Sequence, residues 1–167
     1  MSFGRLRVRK LLSMRTFINS GAILLVLFIS AAALAQSGNT ELAPGSPQLL
    51  NPEDMVTLLQ SPQGERPLVL NVGPWLMYRQ AHIPGSEYVG TGSDKQGLEQ
   101  LRKRVKSLPR NQAIVLYCGC CPWGNCPNVR PAFKELSAIG FSNVKVLYIA
   151  NNFGTDWVEK GYPTVKE

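Results

Sequence analysis

The feature that most constrains this chain is a strand that runs into a cysteine. Ile114-Val115-Leu116-Tyr117 is an unbroken apolar run followed at once by Cys118, and the other three cysteines, Cys120, Cys121 and Cys126, fall within the next eight positions. So apolar a run suits a strand buried on both faces, which needs helices covering a parallel sheet. Helical spacing then resumes with Val129, Phe133, Leu136 and Ile139 and stops at Gly140. A thiol at the carboxyl end of a buried strand, facing the start of a helix, is a reactive-cysteine arrangement.

The flanking sequence repeats the alternation. Leu68-Val69-Leu70-Asn71-Val72 predicts a core strand, Glu87-Tyr88-Val89 a short second one, and Val144 to Ile149 the last. Asn51-Pro52-Glu53-Asp54 supplies an N-cap, a proline at the first helical position and two acids for the dipole. Met55, Val56, Leu58 and Leu59 give that helix an apolar face, and Ser61-Pro62-Gln63-Gly64 ends it. Ser93 can cap a helix whose buried side is Leu98, Leu101, Val105 and Leu108, and Trp157 to Gly161 reads as a short terminal helix. Strands alternating with helices predict an α/β domain with a mostly parallel central sheet flanked by helices.

The charge of +7 is concentrated at one end: Arg5, Arg7, Arg9, Lys10 and Arg15 stand in the first fifteen residues without an acid among them. Without residues 1–35, thirteen basic side chains face eleven acidic ones, which removes the case for a nucleic-acid partner. The basic cluster on the helix that Ser93 can cap, Arg102, Lys103, Arg104 and Lys106, reads as a solvated face. The amino-terminal basic segment precedes Gly21 to Ile29, an apolar stretch, and then small residues ending Ala33-Leu34-Ala35. That succession predicts a secretory signal over residues 1–35. An uncleaved anchor over residues 17–35 is the competing reading, and it would be the chain's one contact with a membrane. Either way the remainder is expected across the membrane, periplasmic or secreted, where cysteines are candidates for disulfides as well as catalysis. Residues 36–50, rich in Ser, Gly, Pro and Gln, read as a linker, and residues 51–167 as the domain.

Several segments together resemble a rhodanese-like domain. They are Leu68 to Val72, then Tyr78-Arg79-Gln80-Ala81-His82-Ile83-Pro84-Gly85-Ser86, the strand into Cys118, Gly140-Phe141-Ser142-Asn143-Val144, and Trp157-Val158-Glu159-Lys160-Gly161-Tyr162-Pro163. The resemblance implies that Cys118 takes a sulfane sulfur from a small donor and passes it, as a persulfide, to a thiol acceptor, with no cofactor. This chain departs from the family's pattern near that cysteine. The short C-x-x-G-x-R-S loop is replaced by a longer one lacking the arginine and serine, D-V-R becomes Asn71-Val72-Gly73, and a late Gly pair becomes Asn151-Asn152. Two missing arginines weaken the case for thiosulfate, a dianion. Gly124 stands where a C-x5-R phosphatase needs its arginine, which excludes that activity.

Pro131 lacks an N–H and fits only the first helical turn, so Asn128 is the natural N-cap and Cys118 to Cys126 is all loop. A loop that long needs bracing. Gly119 and Gly124 are expected to let it curl so that backbone N–H groups stabilise a thiolate, while Trp123, Asn125 and Arg130 are candidates to line the substrate side. Three accounts of the extra cysteines stay open: a rigidifying disulfide such as Cys121–Cys126, a resolving thiol for Cys118, or a soft-metal site of Cys118, Cys120, Cys121 and Cys126. Adjacent Cys120 and Cys121 are expected to point apart, and the spacing is not that of common zinc sites, so no metal ligand is assigned. If Cys118 is free, three cysteines remain and cannot all pair, which favours a two-thiol mechanism. His82, the one histidine, is read as structural, and Trp157 and Tyr162 as core. A second class of function remains beside the enzyme: a non-catalytic module that binds a soft metal or a protein partner through the cysteine loop.

Overall fold

The structure, a computed structural model, describes residues 42–62 and 66–167, so the expected signal or anchor lies outside the described residues. Five strands form one sheet: β1 (Leu49–Leu50), β2 (Leu68–Asn71), β3 (Glu87–Tyr88), β4 (Ile114–Tyr117) and β5 (Val144–Leu147). Their spatial order is β1-β5-β4-β2-β3 and every pairing is parallel. The helices are α1 (Pro52–Gln60), α2 (Trp75–Gln80), α3 (Lys95–Val105) and α4 (Val129–Ala138). The expected α/β domain with a parallel sheet is therefore what forms. Among the described residues no helix is long and apolar enough to cross a membrane.

Side-chain alternation divides the core between the two faces of the sheet. Leu70, Leu116, Val146 and Cys118 pack with Leu101 and Val105 of α3 and with Phe133 and Leu136 of α4. Val69, Val115, Tyr117 and Leu147 turn the other way, onto Met55 of α1, Ile83, Phe153 and Trp157. Tyr117 and Cys118 thus serve opposite faces. The tyrosine hydroxyl is fixed by Ser86 Oγ at 2.9 Å and by the N–H of Ile83 at 3.3 Å, which ties the H-I-P-G turn to the central strand. His82 stacks on Tyr78 with ring centroids 4.0 Å apart and its Nδ1 lies 2.9 Å from the Tyr78 carbonyl oxygen, a structural role.

Several local expectations give way to tertiary contacts. Residues 42–50 belong to the fold: Leu42 is buried and Leu49–Leu50 pair with Val146 and Leu147, so the linker reading fails over its last residues. Two paired residues are too few for an alternation to show in sequence. Asn51 makes no side-chain cap, although Pro52 takes the first helical position as expected. Asp94, not Ser93, caps α3, its Oδ1 accepting the Gly97 N–H at 2.6 Å. The last turn is a single π-helical turn at Gly154–Val158, earlier than expected, held by Asn152 Oδ1 accepting the Thr155 N–H at 2.9 Å and by Asp156 accepting from Asn151. On α3, Arg104 forms a two-point pair with Glu87, and Arg102 meets Glu135 at 2.8 Å. Half of that basic run therefore joins elements together.

Candidate active site

β4 delivers Cys118 to the carboxyl edge of the sheet, 5% exposed, and Gly119 turns the chain with φ +73°. Only glycine fits there, because a Cβ would stand 2.6 Å from the Cβ of Phe153. Gly124 has no such need; it sits in a 3-10 turn (Trp123–Asn125) with open space around it, so the curl depends on Gly119 alone of the two.

The bracing that this loop requires comes from the main chain. The Phe153 N–H donates to the Gly119 carbonyl at 3.0 Å and the Trp123 N–H to the Ala150 carbonyl at 3.0 Å. Trp123 is buried edge-on to Tyr148, and the Arg130 guanidinium lies over the indole, 5.5 Å from its centroid. Arg130 is thus stacked on Trp123 and makes no hydrogen bond to a cysteine sulfur. Asn125 is exposed and contributes its main chain, whose carbonyl oxygen accepts from Cys121 Sγ at 3.5 Å.

All four cysteines are thiols in this structure. The sulfurs of Cys118, Cys120 and Cys126 lie within 4.8 Å of one another. Cys121 does not join that group, and its sulfur touches that of Cys120 at 3.1 Å, so the neighbours expected to point apart meet instead. Most backbone geometries set neighbouring side chains apart, but in this loop, entered through the positive φ of Gly119, the two sulfurs meet.

Asn128 organises the cluster. It stands at the start of α4 but does not cap the helix. Its side chain is 2% exposed, and its Nδ2 donates to Cys118 Sγ at 3.3 Å and to Cys120 Sγ at 3.5 Å, while its Oδ1 accepts the Ser93 N–H at 3.1 Å. Spacing from Pro131 marked Asn128 as a helix boundary; its contact with sulfur had no sequence signal.

The two buried thiols are electrostatically unequal. The neighbouring Cys126 sulfur, followed by burial, raises the pKa of the Cys118 thiol far above the ordinary range. Cys126 moves the other way, down to about 5, held first by the Cys118 thiol and then by the backbone N–H groups of Val129 and Asn128 at the start of α4. Cys121 is pushed up to about 12, by desolvation first and then by Cys120. Burial and the neighbouring sulfur thus work against a charge on Cys118, while the donors at the start of α4 favour one on Cys126.

Gly73 explains a departure noted in the sequence. A Cβ at that position would meet Cys118 Sγ at 2.9 Å, and the Gly73 N–H is held by Asn71 Oδ1 at 2.9 Å. A side chain there would have to displace this sulfur or the end of β2. On the other side a hollow of about 210 Å³ adjoins Cys118; Asn71, Gln80, Tyr117, Asn152, Phe153 and Val158 are among its walls, which among the described residues include no lysine or arginine.

A parallel five-stranded sheet with a cysteine loop at its carboxyl edge defines a single α/β domain built to present thiols. The profile of the rhodanese-like domain family matches residues 53–148, more than half of the chain, and the protein belongs to that family. Among solved structures, the BH2092 protein from Bacillus halodurans is 20% identical with TM-score 0.53, covering 70% of this chain and 75% of that one. The Alr3790 protein from Anabaena sp. is 23% identical with TM-score 0.52, covering 70% and 91%. The rhodanese-like domain of Alr3790 in solution is 20% identical with TM-score 0.51, covering 72% and 80%. These likenesses are of fold. No curated protein matches the chain.

Proposed function

We propose that this domain is a sulfurtransferase-like thiol enzyme in which Cys118 carries a persulfide and Cys126 works beside it. The observation that carries this reading is the convergence of the Cys118 and Cys126 sulfurs, within 4.8 Å of one another, at the carboxyl end of β4. With no histidine in the cluster among the described residues, Cys126 is the neighbouring group that can take up the Cys118 proton. As Cys118 Sγ attacks the outer sulfur of a donor R–S–S⁻, its proton passes to Cys126. The donor's S–S bond breaks, a new one forms on Cys118, and R–S⁻ leaves. An acceptor thiolate then takes the outer sulfur and restores Cys118. Without an acceptor, Cys126 attacks the inner sulfur, giving a Cys118–Cys126 disulfide and releasing sulfide; the sulfane sulfur is reduced as the two thiols are oxidised.

The hollow that Cys118 adjoins favours an uncharged organic group on the donor over thiosulfate, since among the described residues its walls carry no cation to meet a dianion. The basic and apolar amino-terminal sequence supports export, with the domain acting on the far side of a membrane.

Intact-mass measurement after exposure to organic persulfides and to thiosulfate tests this reading. The wild-type chain gains sulfur from the organic donor, and Cys118→Ser does not. An unchanged mass with every donor would refute it.

A further inference from the structure

Two thiols suffice for sulfur transfer, yet a third converges on them. Cys118, Cys120 and Cys126 place their sulfurs within 4.8 Å of one another, and three thiolates around one ion at a metal–sulfur distance of about 2.3 Å stand about 4 Å apart. A small contraction of the loop closes that difference. We propose that Cys118, Cys120 and Cys126 form a three-thiolate site for Cu(I).

The donor set selects the ion. All three ligands are sulfur, no carboxylate among the described residues belongs to the group, and His82 is engaged with Tyr78. Thiolates alone favour a soft cation such as Cu(I) over hard, oxygen-seeking ones. Structural zinc sites close with four ligands, whereas Cys121 stands outside this group.

The surroundings suit bound thiolates. Asn128 Nδ2 faces both Cys118 at 3.3 Å and Cys120 at 3.5 Å. That donor offsets part of the negative charge left after three thiolates meet one monovalent ion, and it fixes two of the sulfurs in place. Cys118 and Cys126 are buried while Cys120 is half-buried, so Cys120 is the sulfur an arriving ion meets first. On binding, the protons held by the sulfurs pass to solvent as three Cu–S bonds form; copper stays at +1 and no sulfur is oxidised.

The site is tested by anaerobic titration of the reduced full-length chain with Cu(I) against a chromophoric Cu(I) chelator. Native mass spectrometry counts bound ions, and X-ray absorption reads their neighbours. One Cu(I) per chain is expected, with three sulfurs at about 2.3 Å. Cys118→Ser, Cys120→Ser and Cys126→Ser each weaken binding by more than the roughly 100-fold that loss of an outer-shell partner costs. Cys121→Ser retains wild-type affinity. Cys120→Ser alters a half-buried side chain, and its circular dichroism separates a lost ligand from a lost fold. Failure to bind one Cu(I), an equal loss in Cys121→Ser, or tighter binding of Zn(II) overturns the proposal. Lost copper binding with intact sulfur uptake at Cys118 removes the metal site and leaves the sulfurtransferase reading standing; the reverse result does the opposite.

Discussion

Asn128 stands ten residues after Cys118, and its side-chain amide donates to that cysteine's sulfur at 3.3 Å. The same amide reaches Cys120, and its oxygen holds the Ser93 N–H ahead of α3. One buried side chain thus joins the end of β4, the start of α4 and the approach to α3. Removing it acts on stability and chemistry together. Asn128→Ala leaves the Ser93 N–H and two sulfurs without their partner and is expected to cost about 1–3 kcal/mol, read from urea unfolding. Stability equal to wild type would show that water replaces the amide at no cost.

Cys126→Ala separates base from nucleophile. Sulfur uptake still occurs on Cys118, because its sulfur remains, but the time course by intact mass is expected to slow about 100-fold, the lower range for losing a positioned base. The variant also cannot form the Cys118–Cys126 disulfide, so its persulfide persists where the wild type releases sulfide. Equal uptake rates and equal sulfide release in the two proteins would exclude Cys126 from the reaction.

Gly73→Ala places a methyl group 2.9 Å from Cys118 Sγ. The sulfur or the end of β2 must move, at a cost of about 1–3 kcal/mol for overpacking a tight site. Gly73→Arg, which restores the family's residue, is expected to be at least as destabilising and to confer no use of thiosulfate. Thiosulfate-dependent sulfur uptake by Gly73→Arg would show that the loop adapts and that charge alone was missing.

The Trp123 indole N–H is buried without a partner, although its ring packs against Tyr148 and beneath Arg130. Trp123→Phe keeps most of the packing and removes the orphaned donor, so its stability is expected to stay within about 1 kcal/mol of wild type. Trp123→Ala forfeits the packing and costs about 3–5 kcal/mol. Equal losses in the two variants would mean that the N–H has a partner in solution.

Glu87 supplies an acid-side dependence. Its hydrogen bonds to Arg104 hold its carboxyl below the usual value of 4.5, so the folded chain binds that proton less readily than the unfolded one. The contribution is present at neutral pH and is lost as pH falls below about 4.5 through the lowered folded value. Both partners are partly exposed, so the effect is small and screened by salt. Melting curves at several acidic pH values are expected to show a shallower decline for Arg104→Gln than for wild type. Parallel curves would remove the ion pair from the stability of this edge.

Sequence by itself determined the layers. The apolar runs at Leu68–Val72 and Ile114–Tyr117 leave no exposed face, which requires a doubly covered parallel sheet, and the spacing after Val129 requires an amphipathic helix. Pro131 marked the start of α4 because a missing N–H is tolerated only in the first turn, a rule that holds whatever surrounds the helix. Cys118 was placed at the strand end for the same local reason. Tertiary structure decided everything that depends on distance between segments. Glycine at position 73 reads in sequence as a lost charge; in the fold it is space for a sulfur. Asn128 reads as a helix cap, yet hydrogen bonds to thiols of a preceding strand and loop outcompete the cap. Cys118, Cys120, Cys121 and Cys126 are equivalent letters in the chain. Only the turn at Gly119 and the N–H groups opening α4 make their surroundings unequal, because a thiol's charge is set by burial and by the donors that face it.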